Sequence, residues 1–201
     1  MIKIIQLNKS KPYEIFNKHY LKALKAGEEH VEAISVASLD KVQLTVDSRY
    51  VNLKYINDDE WIFFSNYQSK KADQFKTHDQ VAVSILWKSI YVQVRIMAKI
   101  KKTSKEFSDE HFLNRSDKKN ALAVSSDQSS IIDSYEDIIE NYNKVLKNKK
   151  ILKSRPDYWG GYSFQPFSFE FWEGNSFRLN RREKFIFSND QEMWMKQYLQ
   201  P

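Results

Sequence analysis

The stretch RPDYWGGYSFQPFSFEFWEGNSFRLNRR, from Arg155 to Arg182, constrains the fold more than any other part of the chain. Trp159, Tyr162, Phe164, Phe167, Phe169, Phe171 and Phe177 keep a near period-two rhythm through it. Side chains on a strand alternate between faces with that period, so one face of this segment is built for burial. Glu173-Gly174-Asn175 supplies turn chemistry between two strands, and the segment reads as an aromatic hairpin. The end of the hairpin sets Arg178, Arg181 and Arg182 beside Trp172. Aromatic faces next to planar cations suit a flat, anionic ligand such as a flavin. An ordinary hairpin with solvated arginines is the competing reading of the same residues.

The chain of 201 residues is expected to form one domain over 1–201, long enough to bury a single large core. Four Gly and four Pro leave little room for linkers, and the 14% aromatic content supplies core volume. The absence of cysteine removes disulfide and thiolate chemistry. MIKIIQLNKSKPYEIF has no apolar core of signal-peptide length and no later run spans a bilayer, so a soluble, cytoplasmic protein with no membrane partner is expected. The net charge of +6 invites a nucleic-acid reading, but the lysines are scattered among 26 acidic residues. Clusters occur only at Lys99–Lys105 and Lys147–Lys153, and phosphate-bearing small molecules explain modest basicity as well. No nucleic-acid partner is expected.

Pro12 after Ser10 starts a helix, and Ile15, Phe16, Tyr20, Leu21 and Leu24 repeat at helical spacing until Gly27, giving a helix over about 12–27. AISVASL, QLTVDSRYVNLKYI and EWIFFSN then read as strands, the last two separated by a turn at Asn57-Asp58-Asp59. A short helix is expected over Ser69–Thr77, then the strand pair VAVSILW and YVQVRIMAKI. Ser104 reads as a helix N-cap, and Asp133–Leu146 as a further amphipathic helix. The region 155–201 is read as all strand. This order predicts a mainly β protein with peripheral helices (α+β), an antiparallel barrel rather than a parallel sheet.

Several chemistries lack their residues. His19, His30, His78 and His111 show no metal-ligand spacing, and no metal is expected. There is no GxxxxGK[ST], no GxGxxG after a strand and no GxSxG.

WGGY, EFWEGN and RLNRR, ordered and close to a chain end reading QYLQP, resemble the C-terminal signature of the pyridoxamine 5'-phosphate oxidase family. That resemblance implies an FMN-binding split-barrel homodimer with FMN at the subunit interface. SRYVNLK resembles the family's arginine-to-lysine strand, carried by Arg49 and Lys54. Their odd separation puts them on opposite faces unless a bulge intervenes. FFSNYQSKKADQF, with Phe64, Ser65, Ser69, Lys70 and Lys71, resembles the segment that wraps the FMN phosphate. Lys70 stands where the family usually has arginine, keeping the charge but losing the bidentate fork. Gln93 matches a glutamine that reaches the flavin ring, and Trp172 and Arg182 match the ring-side pair. Gln128-Ser129 matches a pair that binds FMN from the opposite subunit, to which Gln93 also belongs by resemblance.

The substrate side departs from the family. Lys54 and Arg115 match its phosphate-binding lysine and arginine, whereas His111 and Lys119 replace a tyrosine and a serine. On a continuous helix His111, Arg115 and Lys119 form one cationic stripe, which binds phosphate or carboxylate or is simply solvated. The family's Arg-x-His motif reads Arg178-Leu179-Asn180, and asparagine does not titrate near neutral pH. The family's arginine- and tyrosine-bearing N-terminal segment is not recognisable. The resemblance implies oxidation of pyridoxamine or pyridoxine 5'-phosphate, with Arg178 and Lys54 orienting the substrate. A same-fold flavin oxidase of the phenazine-biosynthesis type, acting on another anionic aromatic, and a non-catalytic flavin-binding protein are the alternatives.

Overall fold

The computed structural model describes the chain from Met1 to Pro201. Its strands are β1 (Lys3–Leu7), β2 (Ala33–Asp40), β3 (Thr45–Asn52), β4 (Tyr55–Asp58), β5 (Glu60–Asn66), β6 (Gln80–Trp87), β7 (Val92–Lys102), β8 (Trp159–Glu173), β9 (Arg181–Ser188) and β10 (Met193–Leu199). The helices are α1 (Lys11–Lys25), α2 (Lys70–Thr77), α3 (Lys105–Leu113), α4 (Asp117–Ser125) and α5 (Tyr135–Lys147). The sheet runs β1-β4-β5-β8-β7-β6-β2-β3, with β9 and β10 continuing from β8. β3 returns against β5 and curls the path into a barrel. The expected mainly antiparallel split barrel with peripheral helices is the architecture found.

Period-two burial builds the interior. Val81, Val83, Ile85 and Trp87 on β6 face inward together with Val92, Val94, Ile96, Ala98 and Ile100 on β7. α1 begins with Pro12 in its first turn, where the missing N–H costs no helical bond. Its Tyr13, Phe16 and Tyr20 share one face and close the barrel. The Phe16 ring lies 4.4 Å from that of Trp61 and 5.4 Å from that of Trp87. Burying Phe16 stabilises the fold by about 1.5–3 kcal/mol, and Phe16→Ala would cost about 3–5 kcal/mol through the cavity it leaves. Gly27, at φ +77°, ends the helical path as expected.

β8 organises the molecule. Its first residues, Trp159–Phe164, pair with β5, and Ser168–Glu173 pair with β9. Between them Ala98 opposes Pro166 while Met97 opposes Ser168, so Phe167 is an inserted residue. This bulge bends the strand and lets it serve two parts of the sheet.

Four details differ from expectation. β1 was not foreseen, and it pairs parallel to β4, the exception in an antiparallel sheet. QLTVDSRYVNLKYI is two strands, because the chain leaves the ladder at Leu53-Lys54. There Leu53 N donates to Glu32 O and Lys54 N to Ile62 O. Phe177 lies in the exposed loop between β8 and β9 rather than on a strand. The helix carrying His111 ends at Leu113, and α4 starts anew after Ser116, so His111, Arg115 and Lys119 do not lie on one continuous helix.

Candidate functional site

A cavity of about 950 Å³ opens between the end of β5, the start of α2, the strand β3 and the α3–α4 corner. It gathers Arg49, Lys54, Phe64, Ser65, Lys70, Lys71, His111, Arg115, Lys119, Gln128 and Ser129. The parity argument that separated Arg49 from Lys54 fails because β3 stops at Asn52, and the break re-aims Lys54.

One end of the cavity is an anion cradle. Ser69 precedes α2 in extended conformation, and its Oγ donates to Asn66 O at 2.8 Å. Ser69 is fully buried and does not line the cavity; it acts on Lys71. Lys71, only 7% exposed, donates from Nζ to Ser65 Oγ and to Ser69 Oγ, each at 3.2 Å. Both partners are neutral, and no carboxylate lies within ion-pair distance of this ammonium. Burial, reinforced by Arg49 and partly opposed by Asp47, pushes Lys71 down to about 8. A buried ammonium with hydroxyl partners, at the N-terminus of a helix, fits a phosphate monoester. Arg49 is held beside it by bonds to Val36 O (3.1 Å), Ser38 Oγ (2.6 Å) and Gln74 Oε1 (2.9 Å), and by Asp47 at 3.2 Å. Lys70 is exposed and lies 3.7 Å from Asp47.

Gln128 Oε1 accepts from Ser65 Oγ at 3.2 Å and from Asn66 N at 3.3 Å. Ser129, at φ +81°, turns the chain beside it. Gln128-Ser129 therefore reaches Ser65 and the Lys71 cavity within one chain, whereas the resemblance implies that this pair binds FMN from the opposite subunit.

The wall is a set of nearly parallel rings. His111 lies on Phe64 with centroids 3.6 Å apart and 11° between planes, and Trp159 lies 5.3 Å from Phe64 at 13°. Arg115 places its guanidinium 4.3 Å from the Trp159 centroid and donates from Nη2 to Lys119 O at 2.9 Å. Its Nη1 is buried and has no hydrogen-bond partner, so the guanidinium is left incompletely satisfied beside the cavity. Burial holds Arg115 down to about 10. Burial first, then Arg115, Lys54 and Lys119, hold His111 down to about 4. His111 is therefore neutral at physiological pH, which corrects the expectation of a cationic stripe. Lys54, lowered by burial against the opposing pull of Glu32, completes the cationic side.

None of Gln93, Trp172, Arg178, Asn180 or Arg182 lines this cavity. Gln93 faces Trp172 across β7–β8, and Trp172 faces Arg182 across β8–β9, so these three form one row. Arg182 donates to Glu170 Oε1 at 3.0 and 2.7 Å and to Gln200 O at 2.8 Å. Arg178, at φ +60°, sits in the β8–β9 loop, where Asn180 Oδ1 accepts from Asn175 N at 3.1 Å. The row is at the end of β8 remote from Trp159, and an extended strand rises about 3.3 Å per residue. One chain thus carries two separate groups of the expected site residues.

Tyr55, Asn66 and Trp159 belong to the site but were not singled out for it. Trp159 had a signal in the glycines that follow it. A Cβ on Gly160 would collide with Tyr67, and one on Gly161 would lie 2.5 Å from Thr103 Oγ1 and 3.2 Å from the Phe64 ring. Such bare backbone lets β8 approach the ring wall closely.

Residues 21–160 match the family model described as pyridoxamine 5'-phosphate oxidase, and residues 159–201 match the pyridoxine 5'-phosphate oxidase C-terminal dimerisation region. The pyridoxine/pyridoxamine 5'-phosphate oxidase of Haemophilus influenzae (strain 86-028NP) is 32% identical over 190 residues, covering 94% of this chain and 89% of the relative. That of Pelagibacter ubique is 30% identical over 198 residues, covering 97% and 94%. Among solved structures, PhzG from Burkholderia lata, in complex with tetrahydrophenazine-1-carboxylic acid, superposes with a TM-score of 0.89 at 22% identity, covering 96% of this chain and 93% of that one. A pyridoxamine 5'-phosphate oxidase-related, FMN-binding protein from Nostoc punctiforme has a TM-score of 0.76 at 13% identity, covering 96% and 99%. With residues 21–160 and 159–201 matched by models of one family, this chain belongs to the pyridoxamine 5'-phosphate oxidase family.

Proposed function

We propose that this protein is an FMN-dependent oxidase that converts pyridoxamine or pyridoxine 5'-phosphate to pyridoxal 5'-phosphate, acting as a homodimer with FMN at the subunit interface. The observation that carries the reading is the cavity itself, which holds two separate anion-seeking groups. Lys71 with Ser65 is one, and Arg115 with Lys54 and Lys119 is the other. A cofactor and a substrate that each bear a phosphate need two such groups, and a single anion needs one. FMN, when bound, supplies the hydride acceptor that molecular oxygen regenerates with release of hydrogen peroxide.

In this reading Lys71, Ser65, Arg49 and Lys70 hold the cofactor phosphate, with Ser69 fixing Lys71 and Gln128-Ser129 closing over it. Phe64 lies in the ring wall at the edge of that site. Gln93, Trp172 and Arg182 form the second group and serve the ring from the other subunit, since within one chain they lie off the cavity. The match of residues 159–201 to a dimerisation region supports a homodimer that brings the two groups together. Arg115 anchors the substrate's phosphate, with Lys54, His111 and Lys119 around it, and Arg178 orients the substrate from its loop. These cations bind and orient, and they strengthen as the site excludes water.

A second reading is favoured by one observation. Asn180 uses its side-chain oxygen to brace its own loop through Asn175 N, so no titratable group stands at that position. A same-fold flavin oxidase acting on an anionic aromatic other than a pyridoxine phosphate fits that feature. Purified protein should be yellow, and peroxide release with pyridoxamine 5'-phosphate should exceed that with aromatic carboxylates by at least an order of magnitude. Colourless protein that leaves flavin fluorescence unchanged would exclude the cofactor. A yellow protein that releases peroxide only with a carboxylate would favour the second reading.

A further inference from the structure

Tyr55 begins β4 directly after Lys54, and its Oη lies 2.8 Å from His111 Nδ1 with the two rings edge-on at 84°. The phenol ring also meets Phe64 at 73° and Phe107 at 77°, so ring edges fix the direction of its hydroxyl. That hydroxyl has no other protein partner. Burial raises the Tyr55 pKa, so the hydroxyl keeps its proton, and Nδ1 is the one protein acceptor within its reach. A neutral imidazole carries a single N–H. With Nδ1 accepting, the proton must reside on Nε2. The His111 ring cannot turn freely, because it lies flat on Phe64 at 3.6 Å. Nε2 is bonded to no protein group and is not among the buried unpartnered atoms, so it faces the open cavity that His111 lines.

We propose that Tyr55 is a positioning residue for substrate recognition: through Nδ1 it holds His111 so that an Nε2–H donor is presented to the anionic group drawn in by Arg115 and Lys119. The inference rests on the reading of this cavity as the site of a phosphate-bearing substrate. A donor that carries no charge suits this place. Arg115, Lys54 and Lys119 already surround the ring, and a further cation would be opposed by all three. A neutral N–H adds a directed bond without that repulsion. Tyr55 then decides whether the ring donates or accepts, and so whether an anion is welcomed or repelled.

The test is a double-mutant cycle read beside the tautomer. Two-bond ¹⁵N–¹H correlation spectra of the FMN-loaded protein should show His111 as the Nε2–H form, and Tyr55→Phe should turn it into a mixture. Tyr55→Phe should raise KM for pyridoxamine 5'-phosphate about fivefold, the factor of a single neutral hydrogen bond, with kcat and FMN affinity little changed. In a His111→Phe background the same substitution should leave KM unchanged, because its effect runs through the missing ring. An Nδ1–H tautomer in the wild type, or an equal KM cost of Tyr55→Phe in both backgrounds, would overturn the inference. If the wild type releases no peroxide with this substrate, the functional reading fails by itself, and inorganic phosphate becomes the probe. A phosphate-induced shift of the His111 Nε2 signal that vanishes in Tyr55→Phe then supports the positioning role, and no shift in the wild type refutes it.

Discussion

Lys71 Nζ and Ser65 Oγ lie 3.2 Å apart, an ammonium from the first turn of α2 hydrogen-bonded to a hydroxyl near the end of β5. A neutral acceptor is no counter-ion, and Asp47 attracts this ammonium only from beyond ion-pair distance, so the buried charge is costly. The arrangement is a fold holding a cation in readiness for an anion.

A phosphate in the cradle favours the charged form of Lys71, which burial has brought to about 8. Binding FMN above that pH therefore requires proton uptake. FMN affinity should be flat below about pH 8 and weaken above it, by up to about tenfold per pH unit. Lys71→Met should cost on the order of 1.5–3 kcal/mol of FMN affinity and abolish this pH dependence. The same variant should raise the melting temperature of the flavin-free protein, since a buried unpaired charge is gone. Flavin fluorescence titrations from pH 7 to 9.5 and a thermal scan check both outcomes.

His111 carries a stability effect of the opposite pH range. Its ordinary value is 6.5 and its folded value about 4, so between them the unfolded chain holds more protons than the native one. The contribution of neutral His111 is whole above pH 6.5 and is lost as pH falls toward 4. His111→Phe keeps a flat ring against Phe64 and removes the titration. Urea midpoints of the wild type should fall more steeply than those of the variant across that window. Parallel slopes would show that His111 is not held neutral by its neighbours.

The barrel was legible because its strands alternate in the sequence itself, as VAVSILW and YVQVRIMAKI show. β1 was not, since KIIQL gains its strand character from a parallel partner far along the chain. The convergence of Arg49 and Lys54 was hidden for a related reason. The break at Leu53 involves no Gly or Pro and is made by bonds from Leu53 N to the distant Glu32 O and from Lys54 N to Ile62 O on β5. The α3–α4 break had a local sign, Ser116 followed by Asp117, which is helix-start chemistry. Tyr55 had none. Its importance comes from meeting His111, which lies 56 positions away.

Gly161→Ala tests how tightly β8 presses on the ring wall. Its Cβ would lie 2.5 Å from Thr103 Oγ1 and 2.9 Å from Thr103 Cγ2, with Phe64 at 3.2 Å on the same approach. Thr103 is held by Ser108 and by the Gly161 carbonyl, so it has little room to yield. The substitution should destabilise the protein by about 1–3 kcal/mol, as overpacking does. It should also weaken FMN binding through displaced Phe64. Chemical denaturation with and without FMN separates the two effects, and a neutral result in both would mean that the strand has slack.

Arg115 and Asn180 separate the two functional readings. Arg115 keeps Nη1 buried and unpartnered while Trp159 and Lys119 O hold the rest of the guanidinium. Arg115→Ala should cost on the order of 1.5–3 kcal/mol in binding of pyridoxamine 5'-phosphate, through the loss of a charge-assisted bond. FMN affinity should barely change, because Arg115 contacts Trp159 and Lys119 rather than the Ser65, Ser69 and Lys71 of the cradle. Asn180→His restores a titratable ring at the position where the family signature has histidine, at the expense of the bond from Asn175 N. Turnover on pyridoxamine 5'-phosphate should rise if that compound is the natural substrate, with the gain confined to the pH range in which the new imidazole is in its active protonation state. Arg115→Ala with unaltered KM, together with Asn180→His showing no gain, would move the assignment to an oxidase for a different anionic aromatic. The barrel and its FMN cradle would serve that chemistry equally well, because the substrate is selected by the α3–α4 corner and the β8–β9 loop rather than by the strands.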